Sequence, residues 1–498
     1  MSVAAAPPAN SSEPRNLARS AALNIPLRIA REEWRAMARD KVAVVGLVLL
    51  TLLSMLAALT SFDYQRQVNA EREHHQAEAD QQFANQPDRH PHRVVHYGHF
   101  VFRPLNALAV FDPGVDAYTG HALFLEGHRQ NGANFSDVRQ SSLLIRFGQL
   151  TPAFILQAIA PLLLIFVGHG ALARERERGT LRVLLAQGVS ARQIVCGKLL
   201  AVAGVAALAL LPALLALFGS AAALGAPLLP LAIMAAAYSG WMLVAALTVV
   251  LVSARLARSR DALLALLAIW AISVILIPRA APDLANSVLA LPTRFESMIA
   301  VEHDLKALGD SHNPDDPYFA AFKAKVLRQY GVASVAELPV NYKGLVAVEG
   351  ERLTSELFKR YADASFALQQ QQSRLVDAFG IVSPVLALRR LSMSAAGTDL
   401  ASYRNFLEQG EDYRYRLVQR LNTLQAEKLS FATDGKAGHE NRIDRANWQA
   451  VPPFVYQAQP ASGMLRSAAP AAAMLALWLA ALALLTRLAV RRLGSSIQ

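Results

Sequence analysis

Six uninterrupted apolar blocks, each close to the length of a bilayer-spanning helix, constrain this chain more than any other feature. They are residues 42–61 (VAVVGLVLLTLLSMLAALTS), 151–173, 199–219, 228–252, 261–279 and 469–490. About 20 apolar residues in a helix cross the hydrocarbon core of a bilayer. Within that core each backbone N–H and C=O needs a partner from the protein, and a helix supplies it internally. Composition alone says less, because 53% of the 498 residues are hydrophobic, only modestly above the roughly 45–50% of soluble proteins. The expected fold class is an all-α membrane protein with six transmembrane helices. A mainly helical extracytoplasmic domain is expected between the fifth and sixth spans.

The formal net charge of +11 is not spread evenly. Arg residues crowd four short flanks: the segment before the first span, residues 174–198, Arg255 with Arg258 and Arg260, and the C-terminal tail with Arg487, Arg491 and Arg492. With six spans all four fall on one side, while the opposite connection, 220–227, has no basic residue. The positive-inside rule then places both termini in the cytoplasm and accounts for the charge without a nucleic-acid partner. The one cysteine, Cys196, rules out an internal disulfide or a cysteine-built zinc site. The first apolar block is longer than a signal-peptide core and lacks a small-x-small cleavage site, so it reads as an anchor that stays.

The expected organisation follows. Residues 1–41 form a cytoplasmic N-terminal segment, disordered to about residue 24. Its last part, PLRIAREEWRAMARDK (26–41), suits an amphipathic helix on the membrane surface with Trp34 at headgroup level, or a solvated basic flank. After the first span (42–61) comes an extracytoplasmic, His-rich insertion, 62–142. Residues 143–279 hold the second to fifth spans, with a polar approach to the second from Ser141. Pro212 and Gly240-Trp241 interrupt the third and fourth. Residues 280–468 form the helical extracytoplasmic domain, and 469–498 the sixth span and basic tail. Ladders at three-and-four spacing, such as Phe319, Phe322, Val326 and Tyr330, mark its helices. A stop at Gly397 lets Thr398 cap a last long helix.

The loop 174–198, RERERGTLRVLLAQGVSARQIVCGK, is the most informative stretch. Alternating charges end at Gly179-Thr180, a short apolar helix spans 181–186, and Gln187-Gly188 makes a turn. Ser190 and Gln193 have the spacing of a capping box opening the next helix, which runs through Lys198 into the third span. A short helix held between two breaks is suited to carrying a push from a cytosolic partner into the membrane. Pattern alone leaves open an ordinary charged loop satisfying the positive-inside rule.

The run Glu175-x-Glu177-x-Gly179-Thr180-Leu181, followed by Gly188-Val189-Ser190 and Gly197-Lys198-Leu199, resembles the signature loop of type-2 ATP-binding-cassette (ABC) exporter permeases. The resemblance implies that the loop is a coupling helix docking on a cytosolic ATP-binding-cassette ATPase subunit. Glu175, Glu177, Gly179, Thr180, Leu181 and Gly188 would then be ATPase-coupling contacts or hinges, with no catalytic residue, no bound cofactor and no metal. It further implies a multi-pass protein of a bacterial cytoplasmic membrane, embedded in the lipid bilayer and paired with a second copy or a related permease. The two large insertions depart from the plain family pattern. Segments 90–114, 125–131 and 383–414 resemble a subgroup with an uncharacterised extracytoplasmic domain. No G-x-x-x-x-G-K-[ST] is present, so a permease of this kind relies on a separate ATPase chain.

Other constellations are weaker. Eight histidines, His74, His75, His90, His92, His96, His99, His121 and His128, fall in the first insertion. Imidazoles suit zinc or copper, and His90 with His92 on a strand, or His96 with His99 on a helical turn, are the pairings the spacing suggests. The ordinary reading is a polar loop whose histidines pack and hydrogen-bond. His439-Glu440 fails as H-E-x-x-H because position 443 is Ile. No intramembrane acid–base pair stands out. The alternative function is a membrane-anchored extracytoplasmic binding or sensory protein, binding metal through the His-rich loop.

Overall fold

The computed structural model describes residues 13–136, 150–311, 313, 315–436 and 441–495. In chain order, α1 (Glu13–Asp40) and α2 (Val42–Ala84) are followed by α3 (Pro91–Tyr97) and a hairpin of β1 (His99–Phe102) and β2 (Ala122–Leu125). Helix α4 starts as Pro152–Phe154, widens into a π-helical stretch at Ile155–Ile159 and closes as Ala160–Gly168. Then come α5 (Ala173–Glu177), α6 (Thr180–Ala186), α7 (Ala191–Leu224) and α8 (Leu228–Arg255). Helix α9 begins at Ser259–Trp270, passes a π stretch at Ala271–Leu276 and continues as Ile277–Val288. The second insertion holds α10 (Arg294–Leu308), α11 (Pro317–Tyr330), α12 (Tyr342–Ala378), α13 (Pro384–Ala396) and α14 (Leu400–Lys428). The last long helix is α15 (Ala461–Ser495). The polar approach at Ser141 and the His439-Glu440 pair lie outside the described residues.

Among the described residues, six helical segments are long and apolar enough to cross a membrane: Val42–Ala84, Pro152–Glu177, Ala191–Leu224, Leu228–Arg255, Ser259–Val288 and Ala461–Leu493. They coincide with the six apolar blocks. Helices α7 and α8 run unbroken through Pro212 and Gly240-Trp241. Instead of interrupting its span, Trp241 donates its indole N–H to the Leu156 carbonyl at 2.9 Å, and Trp270 donates to Ala158. In the π-helical turn of α4 Ala160 N–H bonds the Ile155 carbonyl, and the following Pro161 has no N–H to offer Leu156, so the Trp241 indole supplies that carbonyl with a donor from a neighbouring helix.

Helix α1 starts at Glu13, inside the segment expected to be disordered. Seven of residues 13–24 are Ala, Leu or Arg, good helix formers, and they extend a helix already nucleated over 25–40. Lys41, at φ 61°, breaks the path between α1 and α2. Helix α1 packs along α7: Ile29 and the Pro26 carbonyl cover Gly197, and Trp34 covers Gly204. A Cβ at Gly197 would lie 2.7 Å from Ile29 and 2.9 Å from the Pro26 carbonyl, and one at Gly204 2.6 Å from Trp34, so the contact needs a residue without a side chain.

The first insertion is less of a loop than expected. Helix α2 continues 43 residues, about 65 Å at 1.5 Å per residue, because residues 62–84 contain no Gly or Pro. One polar face of this stalk, Gln65, Asn69, Arg72 and Gln76, hydrogen-bonds backbone groups of residues 100–106. The spacing of three and four puts these side chains in one row, and the row covers the open edge of β1.

In the second insertion α12 and α14 lie antiparallel, as shown by Asn422 on the Ala347 carbonyl, Arg414 on Glu351 and Arg404 on Asp363. Gly397, at φ 68°, ends α13. The cap of α14 is Asp399 and not Thr398: its carboxylate accepts from Ser402 N at 3.0 Å. The Thr398 hydroxyl instead donates to the Asp112 carbonyl. Helix α13 does not stand apart from the spans. Val385, Leu388, Leu391, Ala395 and Ala396 share one apolar core with α4, α7, α8 and α15.

Candidate functional site

The residues singled out by the loop motif converge at the basic end of the span bundle. Gly179 (φ 75°) and Gly188 (φ 86°) are both left-handed, a conformation costly for residues with a Cβ. Between them α6 forms a single rigid piece. Ser190 and Gln193 make the complete capping box that starts α7. Leu181 is buried and belongs to the apolar core, whereas Arg182, Val183, Ala186 and Gln187 are exposed.

The root of this module is braced by charges. Lys198 is buried, and its Nζ lies 2.6 Å from Glu33 Oε1 on α1 and 2.8 Å from Glu175 Oε1 on α5. The Thr180 hydroxyl donates to the Glu175 carboxylate. Arg176 donates to the carbonyls of Ala254 and Leu256, and Glu177 accepts from Ser259 N. Ser253 Oγ accepts from Leu172 N and Ala173 N. Glu175 therefore ties the loop to α7 and, through Lys198, to α1, while Glu177 ties it to the start of α9 and Arg176 to the α8–α9 connection. The exposed face of α6 is apolar and cationic, with Val183 beside Arg182. A buried ammonium costs free energy unless paired, and here two carboxylates pair it.

A second polar network sits at the far end, where α13 enters the bundle. Arg389 Nε donates to Gln157 Oε1, Gln157 Nε2 donates to Tyr238 Oη at 2.9 Å, and Tyr238 Oη meets Ser392 Oγ at 3.0 Å. The Ser392 hydroxyl donates to Asp112. Burial pushes the Asp112 carboxyl up from its ordinary range, against hydrogen bonds from Ser392 and Gly114 and the charge of Arg389. Nearby, Asp399 accepts from Ser394 on α13, Ser402 on α14 and Ser467 on α15. These residues join three spans, through Gln157, Tyr238 and Ser467, to both insertions. Sequence reasoning missed them because they are isolated single residues up to 280 positions apart.

The histidines do not pair as their spacing suggested. His90 caps α3, its Nδ1 accepting from His92 N, and its Nε2 lies 3.0 Å from Asp434. His92 is therefore helical, and no strand carries the two. His99 is on β1 and pairs with Asp80 at 3.1 Å, away from His96, which lies in the last turn of α3.

The family model described as ABC-2 family transporter protein matches residues 27–325, more than half of the chain. The chain belongs to that family. A model described as a domain of unknown function, DUF3526, matches residues 294–457, the stretch holding α10 to α14. No curated protein and no solved structure matches the chain. The protein is thus an ABC-2 family transporter permease, a multi-span membrane protein. Permeases of this family are membrane subunits that lack an ATPase domain and typically pair with an ATPase subunit. In this permease the motif residues and the braced α5–α6 module fall inside the matched region.

Proposed function

We propose that this permease is the exporter-type membrane subunit of an ATP-driven transporter and that α6 is the surface gripped by a cytosolic ATPase. One observation carries the reading. Helix α6 is bounded by two left-handed glycines and rooted by the Lys198 charge cluster, yet it presents Val183 at 55% exposure beside Arg182. A rigid helix tied to α1, α7 and the α8–α9 connection passes a displacement of its tip to several spans, because packed elements move as units. On this reading the basic end faces the cytoplasm, as do both termini, and the insertions face outward across a bacterial cytoplasmic membrane. Helices α2, α9 and α15 bury only 17% to 22% of their most apolar windows within the chain. The remainder suits lipid and a second permease, identical or related. The insertions then recognise or gate cargo at the far end.

The test is co-purification and ATP hydrolysis with the cognate ATPase. Val183→Asp places a charge on the proposed docking face without touching the brace. It is expected to abolish capture of the ATPase and cargo-dependent hydrolysis while the permease keeps its thermal stability. Full capture and hydrolysis with Val183→Asp and with Arg182→Glu would overturn the proposal.

A further inference from the structure

Among the described residues one group of three metal-ligating side chains converges, and it lies far from the α6 module. His92 and His96 are one helical turn apart on α3, with their Nε2 atoms 3.0 Å apart. The third imidazole, His128, comes from the turn after β2, its ring 5.6 Å from that of His92 and 5.4 Å from that of His96. One ligand nitrogen from each can be chosen so that all lie within 4.8 Å of one another. We propose that His92, His96 and His128 form a binding site for a divalent transition-metal ion of the zinc–copper class, with three imidazole ligands and one open position.

The chemistry of the donor set points to that class. Zinc bound by imidazoles at 2.0–2.1 Å in a tetrahedron holds its nitrogens about 3.3 Å apart. The His92–His96 separation is already close to this, and side-chain torsion of the third ligand closes the remaining gap. Imidazole nitrogens alone suit zinc, copper or nickel and not calcium or magnesium, which require oxygen ligands. The open position is consistent with the setting, since His96 is exposed and the other two are half-buried.

The turn carrying His128 is built for placement. His128 has φ 62°, an uncommon conformation for a residue with a side chain. Gly127 N donates to the Val95 carbonyl, and a Cβ on Gly127 would lie 2.2 Å from Val95 Cγ1. Behind the turn the fully buried Glu351 accepts from His128 N at 3.1 Å and lies 3.5 Å from Nδ1. Arg414 holds Glu351 at 2.7 Å and also donates to the Glu126 carbonyl. A carboxylate behind one ring nitrogen orients the other toward a metal and raises its basicity. An ion here would clamp α3 to the turn after β2, the turn that Glu351 of α12 and Arg414 of α14 hold from behind.

The test uses the full chain in detergent, stripped by a chelator and titrated with Zn2+, Cu2+ and Co2+. One Zn2+ per chain is expected, with Co2+ giving the visible absorption of a tetrahedral site. His96→Ala, at an exposed position, is expected to weaken Zn2+ binding at least tenfold and erase the Co2+ band. His92→Gln should do the same, while the double variant His74→Ala with His75→Ala should bind as the parent does. Selective Cu2+ uptake with the same dependence on His96 would assign the site to copper within the proposed class. Absence of uptake of all three ions, or uptake unchanged by both His96→Ala and His92→Gln, would overturn the proposal.

Discussion

Lys198 and Glu175, 23 positions apart and separated by both glycine breaks of the loop, meet at 2.8 Å at the base of the third span. The pair fixes the start of α7 to the helix that leads into α6, and Glu33 of α1 completes the cluster at 2.6 Å. The Gly-Lys pair at 197–198 thereby has two separate physical roles. Gly197 lets α1 approach, and Lys198 bridges the two carboxylates that the approach brings together.

Lys198→Met is expected to destabilise the permease by about 3 kcal/mol, near the lower end of the cost of breaking a buried ion pair, because both carboxylates keep partial solvent access. Adding Glu33→Gln and Glu175→Gln should recover much of the loss. Thermal unfolding of the purified permease measures both, and a Lys198→Met protein as stable as the parent would contradict the brace.

Tyr238→Phe removes the hydroxyl that joins Gln157 to Ser392. A loss of about 1–3 kcal/mol is expected, the cost of leaving buried polar groups unsatisfied. The same variant should alter cargo-stimulated ATP hydrolysis while capture of the ATPase is unchanged, because the network lies at the end opposite α6.

Arg414→Ala strands the fully buried Glu351 and also removes the bonds to Glu411 and Ser355. A destabilisation of about 3–5 kcal/mol is expected. Limited proteolysis should then cut within α12 or α14 before the spans are affected.

His121 supplies a pH dependence. Burial, with the positive charge of Arg72 adding to it, lowers its pKa from 6.5 to about 4. The unfolded chain therefore takes up this proton near pH 6.5 and the folded chain only near 4. Stability from this group is fully present above 6.5 and declines as pH falls between those values. His121→Asn should flatten the unfolding midpoint over that window, and an unchanged slope would show that other groups set it.

The sequence carried the spans and the loop with good fidelity for a definite reason. Apolar runs, the two glycines and the Ser190–Gln193 capping box act over a few residues, so their consequences are local and appear as spacing. The continuation of α2 to Ala84 was visible in the same terms, as a Gly- and Pro-free stretch, but its polarity read as a loop. The cap at Asp399 was misread by one residue, since Thr398 and Asp399 are both capping types and only the packed position of Asp112 decides between them.

By itself the sequence determined six membrane-crossing helices, the basic end of the bundle and the short helix held between Gly179 and Gly188, because each follows from bilayer thickness, charge or backbone sterics. Only the tertiary structure decided that α13 packs into the core of the spans and that Asp112 reaches Ser392. It also decided that His128 joins His92 and His96, and that Lys198 is held between Glu33 and Glu175. These contacts join residues tens to hundreds of positions apart, and their partners are selected by which surfaces pack, a property that no local spacing encodes.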